Sequence, residues 1–218
     1  MCVSPDRLRL SSLLYCCLFL SCLAGNAAAQ VGAGAIKNLQ GAADVNRNGR
    51  TIAGASGMRI LVGDKIQTSQ KSRVTVELID GSELTLSEGS SIVIDRAMTS
   101  VADSMIELFK GRLRSLVNMA PGKATGFEVH TPNAVASVRG TDFDLEYIEG
   151  KPCPGFPQCL RYTDVGVYKG TVEVRNPTSL KSISVRVAAG YDTTVPCELP
   201  PAPPGPLGIG DLMGPGYH

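Results

Sequence analysis

Arg73-Val74-Thr75-Val76-Glu77-Leu78-Ile79-Asp80-Gly81-Ser82-Glu83-Leu84-Thr85-Leu86-Ser87-Glu88-Gly89-Ser90-Ser91-Ile92-Val93-Ile94 sets apolar side chains at alternate positions and breaks the pattern twice with Asp, Gly, Glu and Ser. A period of two is that of a strand with one buried face. Val74, Val76 and Leu78 share a face, Asp80-Gly81 turns the chain at a residue that takes positive φ without a Cβ penalty, and Leu84 and Leu86 resume the alternation. Glu88-Gly89-Ser90 turns it again before Ile92 and Ile94. Strand-sized pieces about eight to ten residues apart are the signature of an all-β domain.

Outward from this stretch the pattern holds. Ile106 to Val117 reads as two strands joined at Lys110-Gly111, with a short helix as the competing reading. Strands are preferred because Leu108-Phe109-Lys110-Gly111-Arg112-Leu113 is echoed by Val167-Tyr168-Lys169-Gly170-Thr171-Val172 among β-branched neighbours. Phe127, Val129 and Thr131 lead through Pro132-Asn133 to Val135 and Val138, and Phe143, Leu145 and Tyr147 follow Arg139-Gly140-Thr141. Val165 to Val174 and Ile183 to Val187 supply the last strands, with Gly190-Tyr191 turning the chain before Val195. From about Cys197 the sequence is rich in Pro and Gly and has no apolar period. The tail 197–218 is therefore expected to be disordered, because burial cannot offset its ordering entropy.

At the other terminus Arg7 and Arg9 precede an apolar run from Leu10 to Leu23 that is short for a bilayer span, followed by Ala27-Ala28-Ala29. This reads as a signal peptide over residues 1–29, cleaved near Ala29-Gln30 and directing the chain to the periplasm or the exterior. An uncleaved anchor and a lipoprotein modified at Cys22 are the alternatives; Phe19 stands where a lipoprotein signal prefers Leu. Without residues 1–29 the 21 basic and 20 acidic side chains lose Arg7, Arg9 and Asp6 and become equal in number. Such a chain lacks the concentrated positive field a nucleic-acid binder needs.

Of the 7 cysteines, Cys153, Cys159 and Cys197 lie beyond the leader. Cys153 and Cys159 bracket a Pro- and Gly-rich loop in an oxidising compartment, and a disulfide between them is the expected pairing, with Cys197 left over. Zinc is the rival reading, but it asks for about four N or S ligands and His130 and His218 are the only histidines. No metal or other cofactor is expected.

Gly63-Asp64-Lys65-Ile66-Gln67-Thr68, Asp80-Gly81-Ser82 and Thr131-Pro132-Asn133-Ala134-Val135-Ala136-Ser137-Val138-Arg139-Gly140-Thr141-Asp142-Phe143 stand in the order seen in FecR-domain proteins. On these segments residues 30–196 resemble that family. The resemblance implies an exported β-rich domain, a roll or solenoid of short strands. The namesake is a sensor-regulator that crosses the inner membrane and acts on a sigma factor. This sequence shows neither a cytoplasmic N-terminal domain nor an internal span, so only the extracytoplasmic module is carried over.

The motif residues Gly63, Asp64, Asp80, Gly81, Thr131, Pro132, Arg139, Gly140, Thr141 and Phe143 are candidates for structural or interaction roles. Arg139 offers planar donors suited to a carboxylate, and is expected to lock its turn through Asp142, Asp144 or a carbonyl. Gly140 is expected to bend the chain, and Asp64 and Asp80 to bond nearby amides. His130, Ser137 and Asp142 lie close in sequence without a nucleophile elbow, so no catalytic residue is assigned. The expected function is a non-catalytic interaction module that binds an envelope protein or a second copy through a sheet edge. The alternative is a polysaccharide-binding domain using Tyr147, Tyr162, Tyr168 and Tyr191. An enzyme, held in reserve, would need a concave pocket of ionisable groups with shifted pKa values.

Overall fold

The structure is a computed structural model that describes residues 31–96, 104–118 and 126–208, all within the compact unit Val31–His218. The expected leader, its cleavage site and Cys22 lie outside the described residues, as do 209–218. Every regular element described is a strand, and the strands form two sheets.

The first sheet runs β4 (Arg59–Leu61), β1 (Gly32–Gln40), β6 (Arg73–Leu78), β7 (Glu83–Leu86), β9 (Ser104–Leu116), β12 (Asp142–Glu149), β13 (Arg161–Lys169), β16 (Tyr191–Pro196) and β17 (Gly205–Pro206). The second runs β3 (Arg50–Ala53), β2 (Ala43–Arg47), β5 (Lys65–Thr68), β8 (Ser91–Arg96), again β9, then β10 (Phe127–His130), β11 (Val135–Val138), β14 (Thr171–Arg175) and β15 (Ser184–Ala188). All neighbours are antiparallel except β9 and β10. Successive hairpins alternate between the sheets, which makes the domain a roll. The alternate apolar residues of both sheets enter one core, where Val74, Val76, Leu84 and Leu86 meet Ile66, Ile92, Ile94 and Phe127 at 0–1% exposure. Each such side chain contributes about 1.5–3 kcal/mol of burial.

The stretch 106–117, expected as two strands, is one. Residues 104–110 of β9 pair with β8 and β10, and residues 111–116 with β7 and β12, so the strand changes sheet without ending. Gly111 makes this possible: its φ is +82°, and a Cβ there would lie 2.8 Å from the Cα of Ser90. The Ser90 hydroxyl accepts from Arg112 N at 3.0 Å. The same pairing of a left-handed glycine with a hydroxyl on the adjacent corner recurs where β1 passes to β2, with Gly41 against Ser72 and Ala42 N donating to Ser72 Oγ at 2.9 Å. It recurs again where β13 passes to β14, with Gly170 against Thr141 and Thr141 Oγ1 donating to Thr171 O at 3.3 Å. Both copies of the Lys-Gly echo are thus crossings between sheets.

Two expectations are corrected. The disulfide joins Cys159 to Cys197, with Cα atoms 5.8 Å apart, and Cys153 is a free, buried thiol. Spacing along the chain favoured the near pair, but the hairpin between β12 and β13 folds back and lays Cys159 beside the end of β16, where Cys197 N donates to Arg161 O at 3.0 Å. The described part of the tail, residues 197–208, is bonded to the domain. Ala202 N donates to Thr194 O at 2.8 Å, Leu207 N to Gly190 O at 2.8 Å, and β17 pairs with β16. Counting apolar burial alone missed that prolines lose little backbone entropy on ordering, and that this strap satisfies the open edge of β16.

Gly111→Ala is expected to lower unfolding free energy by more than about 2 kcal/mol, since strain and overlap combine. Gly49→Ala, also at positive φ but with open space around it, costs about 1 kcal/mol; urea denaturation of the two variants compares them.

Candidate functional site

The motif residues go chiefly to one end of the roll. Leu61 and Leu78 pair with Gly32 and Gly34 of β1, which brings the Gly63-Asp64 and Asp80-Gly81 turns to the same side. Asp64 is 1% exposed, and its carboxylate accepts from Arg47 Nε at 2.8 Å, Arg47 Nη2 at 2.6 Å and Leu61 N at 2.8 Å. Asp80 accepts from Ser82 N at 2.9 Å and Ser82 Oγ at 3.0 Å. Asn118 N donates to Ser82 Oγ at 3.1 Å, and its side-chain amide donates to Gly81 O. Val117 N donates to Thr141 O at 2.9 Å, so the turns at 80–82 and 139–141 flank the C-terminal end of β9. Gly140 has φ +64°, and Phe143 is a core residue. Arg139 is exposed at this end, while Asp142 is gripped by Arg114 through two bonds of 3.0 Å.

Thr131, Pro132 and Asn133 lie at the opposite end. Thr131 Oγ1 accepts from Ala134 N at 2.9 Å and shares a hydrogen bond with Thr163 Oγ1 at 2.8 Å. Asn133, 1% exposed, donates to Val195 O at 2.7 Å and accepts from Thr163 Oγ1 at 2.7 Å. Pro132 is exposed between them.

Beside the strand corners at this second end is an open groove of about 1030 Å³. Lys71, Arg73, Lys110, Arg112 and Lys151 bring cations to it, against the carboxylates of Glu88, Glu146 and Glu149. Arg112 is paired with Glu146 across β9 and β12. Lys71 sits at φ +53° with its amide donating to Glu88 Oε2 at 2.6 Å, which fixes the corner that carries it. Apart from Arg73 and the Arg112–Glu146 pair, the groove carries three lysines, Lys71, Lys110 and Lys151, against two carboxylates, Glu88 and Glu149.

From Arg112 and Glu146 the polar surface continues over the outer face of the first sheet. Cross-strand register sets Arg112, Glu146, Asp164 and Thr194 in one row and Arg114, Asp144, Gly166 and Asp192 in the next. The Arg114 guanidinium lies 4.4 Å from the centre of the Tyr168 ring, and the Tyr168 hydroxyl donates to Asp144 Oδ2 at 3.3 Å. Asp144 is 2% exposed and its Oδ1 has no partner. Burial pushes its pKa to about 7 against the pull of Arg112, Tyr168 and Arg114. Burial likewise lifts Asp164 to about 6, although Thr194 Oγ1 donates to it at 2.5 Å. This face was missed in the sequence, where its signal was the acidic half of the alternation Asp142, Asp144, Glu146 about Phe143, Leu145 and Tyr147.

Asp144 and Asp164 lie beside the groove and do not line it. On the second sheet, Ser137 Oγ donates to Glu128 Oε1 at 2.9 Å and His130 Nε2 contacts Glu128 Oε2 at 2.7 Å. The carboxylate stands between the hydroxyl and the imidazole, which is not the order of a nucleophile, base and orienting acid. Among the described residues no cluster of three or more His, Cys, Asp or Glu is arranged to hold a metal. Tyr147 and Tyr162 are 6% and 7% exposed and Tyr168 is covered by Arg114, leaving Tyr191, at 45%, as the one of the four rings open to a sugar.

Fold and site together define an all-β roll with internally bonded motif corners and a charged groove. The sequence profile of the FecR protein family matches residues 64–173, and the chain belongs to that family. FecR is a regulatory, envelope-associated family. Two crystal structures of a candidate anti-sigma factor from Parabacteroides distasonis, at 2.50 and 1.65 Å resolution, are similar at 23% identity and a TM-score of 0.49. The similarity covers 61% of this chain and 54% of theirs, about half the length of those chains. No curated protein matches. No helix among the described residues is long and apolar enough to cross a membrane.

An Asp titrating near 3.8 when unfolded and near 7 when folded binds more protons in the folded state across that window. Stability from this group is therefore full below pH 4 and is lost as pH rises toward 7. Wild-type protein is expected to lose on the order of 2–4 kcal/mol between pH 4 and pH 8 from Asp144, with Asp164 acting in the same direction. Asp144→Asn flattens the decline and is the more stable form at pH 8, measured by urea denaturation at the two pH values.

Proposed function

We propose that this chain is an exported, non-catalytic FecR-type module that regulates by contact, binding through its groove an envelope protein that presents carboxylates. The observation that carries the reading is the excess of groove cations mounted on rigid strand corners. Lys71, Lys110 and Lys151 are exposed on three separate segments. The Lys71 amide is held by Glu88 Oε2, Lys110 pairs with Ser91 in β9, and Lys151 follows Gly150, whose amide donates to Leu160 O. Such an arrangement steers and orients an acidic surface with little ordering cost. Family membership supports a regulatory role rather than turnover. The bonded state of the motif residues agrees with a scaffold whose recognition surface lies elsewhere. Burial of Tyr147 and Tyr162 weighs against stacking on polysaccharide.

The triple variant K71E/K110E/K151E, whose residues are exposed and outside the core, is expected to fold with an unchanged circular dichroism spectrum. Cross-linking in the periplasm followed by affinity purification recovers a reproducible partner with the wild type, and at least about tenfold less with the variant. A wild-type chain recovered alone, or equal recovery with the variant, overturns the reading.

A further inference from the structure

Cys153, Cys159 and Cys197 meet at the groove end, where they share one small apolar cluster with Ile148, Phe156 and Tyr162. Cys159 and Cys197 are bonded and Cys153, 2% exposed, is a thiol. Cys153 N donates to Cys159 O at 2.8 Å. Cys153 is thus held beside Cys159 by the main chain and packed in the same cluster, with its Sγ 3.6 Å from Pro154 O. Turning that side chain toward Cys159 is the movement that a second pairing requires.

The two pairings tie down different parts of the chain. Cys159–Cys197 closes 38 residues and anchors the start of the strap. Cys197 is held at φ +39° and its carbonyl accepts from the side-chain amides of Asn133, at 3.3 Å, and Asn176, at 2.8 Å. Beyond it, Ala202 and β17 cover the edge of β16. Cys153–Cys159 would close the hairpin loop alone and leave the strap to its hydrogen bonds.

We propose that the three cysteines form a disulfide-exchange site that fastens or frees the strap at residues 197–208. Cys153 gives its proton to solvent and its sulfur attacks Cys159 Sγ. The Cys153–Cys159 bond forms as Cys159–Cys197 breaks, and Cys197 leaves as a thiolate that takes a proton from solvent. No electrons are gained or lost overall, so no oxidant is consumed. Burial holds the Cys153 thiol above its ordinary pKa, which keeps exchange slow until the hairpin tip opens or a small thiol attacks first. Freeing the strap bares β16, whose main-chain groups can then accept a strand from a partner. This site is independent of the charge reading of the groove. A cysteine that merely fills space as a small hydrophobe would do none of this.

The oxidised mature chain is incubated with a catalytic amount of reduced glutathione, alkylated, and mapped by mass spectrometry without reduction. Wild type is expected to yield both Cys159–Cys197 and Cys153–Cys159 peptides, and Cys153→Ser only the former. Cys197→Ser, reoxidised with glutathione disulfide, is expected to close Cys153–Cys159 within the monomer. Its amides at 198–207 should exchange with deuterium about tenfold faster than those of Cys153→Ser. The proposal is overturned if wild type gives Cys159–Cys197 alone with Cys153 alkylated, if Cys197→Ser keeps both thiols free, or if the two variants exchange equally.

Discussion

Among the described strands one, β9, belongs to both sheets, and the rest of the roll is positioned by its crossing at Gly111. β9 bonds β8 and β10 before that residue and β7 and β12 after it. A residue with a side chain would need a costly left-handed conformation there and would press on the backbone of Ser90. The Ser90 hydroxyl satisfies the amide exposed where the strand leaves one ladder for the other, as buried main-chain donors require. Gly41 with Ser72 satisfies an amide in the same way, and beside Gly170 the Thr141 hydroxyl instead donates to the Thr171 carbonyl, so a left-handed glycine packed on a hydroxyl marks crossings in the N-terminal, central and C-terminal parts of the domain.

Much of this was legible from residues alone. The alternation through Val74, Leu84 and Ile92 specified strands and their inward faces, because a period of two admits no helix. The Asp80-Gly81 turn and the family resemblance also pointed to the roll. What could not be read was sheet membership: the alternation shifts phase between Leu108 and Leu113, a break that a hairpin at Lys110-Gly111 would also produce, and nothing local marks Gly111 as a crossing instead. Pairing of the cysteines failed for a related reason, since a bond between Cys159 and Cys197 depends on which strands become neighbours. The strap failed because the sequence rule weighed burial and overlooked prolines and an edge in need of partners.

The candidate site shows the same division. Motif residues could be named in advance, but the structure disperses them to opposite ends, where Asp80 and Thr131 bond within their own corners and Asp64 and Thr141 bond to Arg47 and Thr171 on neighbouring segments. The groove draws on Lys71, Lys110 and Lys151, which are ordinary surface lysines in sequence and acquire meaning through juxtaposition. Asp144 is the reverse case. Its place in the alternation marks it as outward-facing, yet Arg114 and Tyr168 close over it and leave an acid inside the protein.

The glycine and hydroxyl contacts sit where the chain changes sheet, and the tips of the hairpins are free of them. The tip between β12 and β13 accordingly reaches out through residues 150–160 without altering the register of the strands beneath, which runs unbroken from Phe143 opposite Val167 to Glu149 opposite Arg161. A scaffold organised in this way separates what must stay fixed from what can be lengthened, so new recognition elements can be grafted onto its rim while the inner geometry is left alone.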